Sequence, residues 1–138
     1  MVVPAYGDDL ACSVNALTTA PATARYEITQ SSIVVRNTFR LDKYTGRIHQ
    51  MVKDKDGTLL WEEMIVHDRP LISAPTVVRF QLFNSGIAVR HTYLLDTATG
   101  ATWQLMVATP ETKPDGTPTP DTEKVSEWFP LQIFNIKK

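Results

Sequence analysis

From residue 25 onward the hydrophobic and polar positions alternate with a period of two. In the stretch IAVRHTYLLDTATGATWQLMV, Val89, His91, Tyr93 and Leu95 fall on one side of an extended strand. Ala88, Arg90, Thr92 and Leu94 fall on the other. The same division recurs upstream, with Val35, Asn37, Phe39 and Leu41 against Val34, Arg36, Thr38 and Arg40. β-Branched and aromatic residues dominate both, as pleated strands favour. No stretch carries a sustained apolar stripe at helical spacing, so the pattern predicts an all-β chain.

The recurrence is an internal duplication. Residues 25–52 and 79–106 align without a gap at an offset of 54, with identical residues at 11 of 28 positions. The shared residues include Arg25/Arg79, Ser31/Ser85, Thr38/Thr92, Asp42/Asp96, Gly46/Gly100 and Gln50/Gln104. A further apolar segment follows each copy, TLLWEEMIV and then VSEWFPLQIF, with their tryptophans 67 apart. The second copy therefore holds about 13 extra residues before its last strand, in the loop PETKPDGTPTPDTEK. Its proline, threonine and charge predict an exposed excursion. Each copy supplies four strands, the second of them IVVRNTFRL or IAVRHTYLL. The expected architecture is two four-stranded antiparallel meanders forming a pseudo-twofold sandwich or barrel. Repeats 24–66 and 78–134 make one domain at 24–138, joined by HDRPLISAPT, behind a flexible segment at 1–23.

The frame L-D-x-x-T-G lies between two strands of each copy. A carboxylate can accept a hydrogen bond from the N–H two residues on, and glycine tolerates the positive φ that closes such turns. Asp42, Asp96, Gly46 and Gly100 thus have a structural role. Pairing Asp96 with Gly100 would set Tyr93 opposite Trp103, His91 opposite Leu105 and Thr92 opposite Gln104. In the first copy it sets Phe39 opposite His49 and Thr38 opposite Gln50. On this register one face is core and carries the aromatic pairs. The other is a duplicated polar face of Arg36, Arg90, Thr38, Thr92, Gln50 and Gln104. That face, with Lys113, Asp115 and Asp121 of the long loop, is the candidate binding surface.

Composition narrows the function classes. The chain has 138 residues, 43% hydrophobic and 21% charged, enough for one domain with a core. The formal net charge is −1, which gives no electrostatic footprint for nucleic acid. No apolar run reaches the ~20 residues that span a bilayer, so a chain not inserted in a membrane is expected. The single cysteine, Cys12, excludes an intrachain disulfide. Residues 1–11 lack the basic start of an intact signal peptide, whereas residues 1–23, which end in NALTTAPATA and hold no Lys or Arg, resemble the linker behind a removed leader, pointing to an exported or periplasmic location.

The sequence carries little catalytic signature. His49 aligns with Trp103 and His91 with Asn37, so no histidine repeats between copies. No metal-ligand spacing, nucleophile elbow or phosphate loop is present, and no metal or cofactor is expected. KDKDGTLLWEE matches part of a calcium loop, but Val52 stands at the first ligand position and Asp56-Gly57 reads as a hairpin turn. LLDTATGATWQL resembles the LDxxTGxxW hairpins of small bacterial β proteins. It is also similar to quinoprotein propeller repeats, which carry D-x-x-T-G before a tryptophan. Here the tryptophan follows the glycine more closely, the first copy has His49 instead, and two repeats cannot close a propeller. The resemblance assigns no functional residue.

Three functions are consistent with these features. The first is a non-enzymatic protein-binding module, of the envelope-inhibitor or immunity type. The second is a structural or assembly subunit. The third is an enzyme or small-ligand binder whose site is assembled in space. A protein partner or self-association is expected.

Overall fold

The computed structural model describes residues 20–34, 37–88, 90–107, 114–116 and 126–135. They form eight strands and no helix: β1 (Tyr26–Gln30), β2 (Thr38–Asp42), β3 (Ile48–Lys53), β4 (Leu59–Glu63), β5 (Phe80–Asn84), β6 (Thr92–Asp96), β7 (Thr102–Val107) and β8 (Ser126–Pro130). β1 to β4 make one four-stranded antiparallel sheet and β5 to β8 a second, each in sequence order. The first will be called sheet A and the second sheet B. They pack as a two-layer sandwich and do not close into a barrel.

The second strand of each copy is shorter than its alternation predicts. β2 begins only at Thr38, because Ser31 Oγ accepts hydrogen bonds from the amides of Ile33 and Val34 and turns the chain. Ser85 does the same for Ile87 and Ala88 before β6. Serine side chains compete with the sheet ladder in this way.

The L-D-x-x-T-G turns have the expected chemistry. Asp42 accepts from the Tyr44 amide and Asp96 from the Ala98 amide, both at 3.0 Å. Gly46 and Gly100 sit at φ 75° and 78°, where a Cβ is disfavoured. Their amides donate to the Asp42 and Asp96 carbonyls at 2.8 and 2.7 Å. Those bonds place each glycine inside the turn. The first paired residues are then Asp42 with Arg47 and Asp96 with Ala101.

This corrects the register by one residue. Tyr93 lies opposite Gln104 and Leu94 opposite Trp103, not Tyr93 opposite Trp103. Phe39 lies opposite Gln50 and Arg40 opposite His49. Thr92 therefore does not face Gln104, nor Thr38 Gln50, and His91 does not face Leu105. A slip of one exchanges the faces of every residue on the paired strand. The Asp54–Thr58 segment is likewise a turn. Asp54 accepts from the amides of Asp56 and Thr58, and Gly57 has φ 82°.

The two copies share this register and bury opposite faces. In sheet A the buried set is Phe39, Leu41, Ile48 and Met64. In sheet B it is Phe80, Leu82, Leu94, Trp103, Leu105 and Trp128. The sheet B counterparts of Phe39 and Leu41 are Tyr93 and Leu95, which lie on its outer face. The sheet A counterparts of Leu94, Trp103 and Trp128 are Arg40, His49 and Trp61, also on an outer face. A face-to-face twofold would bury equivalent positions. These sheets instead stack front to back.

The centre of the seam is apolar and tight. Phe39 meets the Trp128 ring edge-on at 5.8 Å, and Trp128 Nε1 donates to Met64 Sδ at 3.3 Å. A Cβ at Gly46 would stand 2.9 Å from the Phe80 ring. The segment after β4 then crosses over and clasps the free edge of β8. The Trp128 amide donates to Ile65 O, and the His67 amide donates to Trp128 O.

Candidate functional site

The duplicated polar face does not form. Thr92 is buried on the face of sheet B that sheet A covers, whereas its counterpart Thr38 is buried on the outer face of sheet A. Thr38 Oγ1 accepts from Gln30 Nε2 at 2.8 Å. Gln50 shares the inner face with Phe39, while Gln104 is on the outer face of sheet B and donates to Arg90 O. Arg90 is exposed, with Nε 3.4 Å from His91 Nε2. Asp115 is exposed in the turn at 114–116. Arg36, Lys113 and Asp121 lie outside the described residues. The described candidates therefore do not share one surface.

Arg25 and Arg79 lie outside the expected polar face and outside the L-D-x-x-T-G frame. Arg25 forms a forked pair with Asp42, its Nη2 2.9 Å from Oδ2. Arg79 does the same to Asp96, with both contacts at 2.7 Å. Thr99 Oγ1 also donates to Asp96 at 2.7 Å. The Arg79 hydrogen bonds hold the Asp96 carboxyl far below the usual carboxylate range despite its burial. Burial pushes the Asp42 carboxyl up, but the Arg25 and Tyr44 hydrogen bonds outweigh it, so its pKa is lowered. The available signal was an arginine identical in both copies, 17 residues before an identical aspartate. These are turn locks, since every carboxylate oxygen is occupied by the fold's own donors.

His67 is the other polar junction. Its Nε2 is 2.8 Å from Glu127 Oε2, and its ring stacks on Phe129 at 4.4 Å. Its carbonyl accepts from Trp103 Nε1 at 2.7 Å. It joins the crossing segment to the edge and outer face of sheet B, which is an anchoring arrangement. Among the described residues, no three His, Cys, Asp or Glu side chains stand close enough together to hold a metal ion.

The outer faces are what remain open. On sheet A, Tyr26 and Ile28 are exposed, and the Arg40 guanidinium lies 5.5 Å over the Trp61 ring. Arg40 Nε is buried with no hydrogen-bond partner among the described residues. His49 beside it has its pKa lowered by burial and by the Arg40 charge. An exposed pair, Arg47 with Glu63 at 2.7 Å, borders the face. On sheet B, Phe83 stacks on Tyr93 at 6.3 Å, and the Tyr93 hydroxyl is 2.9 Å from His91 Nδ1. Met106 is exposed on the same face. Among the described residues, no helix is long and apolar enough to cross a membrane.

No protein-family model, curated protein or solved structure matches this chain.

Proposed function

We propose that this protein is a non-enzymatic protein-binding module that engages its partner through the outer faces of its two sheets. One observation carries the reading. Both outer faces expose large apolar side chains, Tyr26 and Ile28 at successive outward positions of β1 on sheet A, beside Arg40 over Trp61, and Phe83, stacked on Tyr93, with Met106 on sheet B. Contiguous apolar patches with polar rims mark interaction surfaces, and aromatic residues and arginine dominate their energetics. The polar groups best placed for chemistry are already committed to the fold, Asp42 and Asp96 to their turns and His67 to Glu127. An inhibitor or immunity-type role, in which the bound protein is silenced by being covered, falls within this reading.

The test is a photo-crosslinking residue placed at position 28, 83 or 87 in the intact chain, expressed in cells. Ile87 is also apolar and exposed, but lies in the loop before β6. Defined protein adducts at 28 and 83, with none at 87, are expected. Equal labelling at all three positions, or none at any, would refute the reading.

A further inference from the structure

The front-to-back packing leaves two outer faces that are counterparts of the two faces already joined at the seam. The outer face of sheet A carries Tyr26, Ile28, Met51 and Trp61, where sheet B buries Phe80, Leu82, Leu105 and Trp128. The outer face of sheet B carries Tyr93 and Leu95, where sheet A buries Phe39 and Leu41. We infer that a second copy of this chain docks head to tail, its sheet A outer face against the first copy's sheet B outer face, repeating the intrachain seam. This rests on the protein-binding reading above and names the partner.

Three further features of the seam have an open counterpart on sheet B. Gly46 is covered by the Phe80 ring at 2.9 Å, whereas nothing stands within 4 Å of a Cβ built on Gly100. Tyr26, the counterpart of Phe80, is 53% exposed and would fill that seat from the second copy. Phe39 meets Trp128 at the seam, and Tyr93 offers the same edge to a second copy's Trp61.

The third feature is the tail. The segment Met64–His67 clasps β8 at the seam, and its counterpart is Leu131–Phe134. The equivalence is visible in the backbone: the Met64 amide donates to Ile48 O, and the Leu131 amide donates to Thr102 O. Val66 pairs with Trp128. Its counterpart Ile133 is 75% exposed and the adjacent Phe134 is 89% exposed. In the docked pair this tail runs along the free edge of β4. There the second copy's Trp61 amide donates to Gln132 O, and the Phe134 amide donates to Trp61 O.

Polar residues stand in the new interface where the seam is apolar. Arg40 replaces Leu94, His49 replaces Trp103 and Thr102 replaces Ile48. The contact is therefore reversible association between folded chains, and not a second core. It is also heterologous, so the two patches differ and no twofold axis relates them.

Sedimentation velocity on the purified full chain tests this, with three variants. Ile28→Arg blocks the sheet A face, Phe83→Arg the sheet B face, and Ile133→Asp the tail. At about 100 μM, where an interface of ordinary size is populated, the parent chain is expected to associate. Each variant alone is expected to be a monomer. Ile28→Arg mixed with Phe83→Arg or with Ile133→Asp should form a 1:1 dimer and stop there, because each mixture keeps one intact pair of patches. Ile87→Asp should associate like the parent. A monomeric parent chain would overturn the inference, as would a variant that still self-associates or mixtures that stay monomeric. If the parent is monomeric while crosslinkers at 28 and 83 capture a different protein, only the identity of the partner fails. If neither occurs, the protein-binding reading fails as well.

Discussion

Sheets A and B begin from nearly the same strand pairings and end with opposite sides inward. Phe39 and Leu41 are fully buried, while Tyr93 and Leu95 at the same positions look outward. Leu94 and Trp103 are buried, while Arg40 and His49 look outward. A sheet in a front-to-back stack must be presentable on both faces, and local pairing does not decide which one is covered. The neighbour decides it.

Substitutions at equivalent positions should therefore have unequal effects. The largest difference is expected at the paired tryptophans. Trp128 is fully buried against Phe39 and Met64, so Trp128→Ala should cost about 4 kcal/mol of unfolding free energy in urea. Trp61→Ala, on the outer face beneath Arg40, should cost about 1 kcal/mol in the monomer. Equal losses would mean that the two sheets bury equivalent faces.

The turn locks come next. Asp96 is inside the sandwich with its arginine mostly covered, whereas the Arg25 side chain is 42% exposed. Asp96→Ala should cost about 3 kcal/mol and Asp42→Ala about 1.5 kcal/mol, by chemical denaturation. Both carboxyls have depressed pKa values in the folded chain, so each contributes stability above the unfolded value near ~3.9. That contribution disappears as pH falls below it, through the folded pKa. Acid-unfolding curves should flatten in the Asp96 variant more than in the Asp42 variant. A steeper acid limb in either would contradict the pairing.

The turn glycines separate on a smaller scale. Gly100→Ala meets only the positive φ, a penalty of about 1 kcal/mol. Gly46→Ala also drives a methyl into the Phe80 ring and should cost about 2–3 kcal/mol. Thermal melts of the two variants check the order. The smallest effect belongs to Arg47→Ala, which places the second copy's alanine in the first. It removes an exposed ion pair and should change stability by less than about 1 kcal/mol, less still in high salt.

Much of the fold was legible in the residues. The offset between copies located all eight strands, and Asp42, Asp96 and their glycines specified the turns. The register was not legible, because L-D-x-x-T-G accommodates a glycine either at the closing pair or one step inside it. Only the bond from the glycine amide to the aspartate carbonyl separates the two. Hydrophobic alternation could not settle the matter, since Tyr93 with Leu95 and Thr92 with Leu94 are comparably apolar. A better guide was where the copies differ: Arg40 against Leu94 and His49 against Trp103 report which face is inward in each. The candidate Arg–Thr–Gln surface dissolved for the same reason, because a shift of one residue put Thr92 and Gln104 on opposite faces. The clasp formed by Met64–His67 depends on contact between the two copies, which periodicity within a strand does not carry.

The central claim is that the copies bury opposite faces. Fluorine NMR of the 5-fluorotryptophan-labelled chain tests it most directly, with a soluble paramagnetic agent and Phe83→Arg to block association. Three resonances are expected from Trp61, Trp103 and Trp128. The one that disappears on Trp61→Phe should broaden strongly, and the other two should stay sharp. Equal broadening of the Trp61 and Trp128 resonances would contradict the front-to-back arrangement.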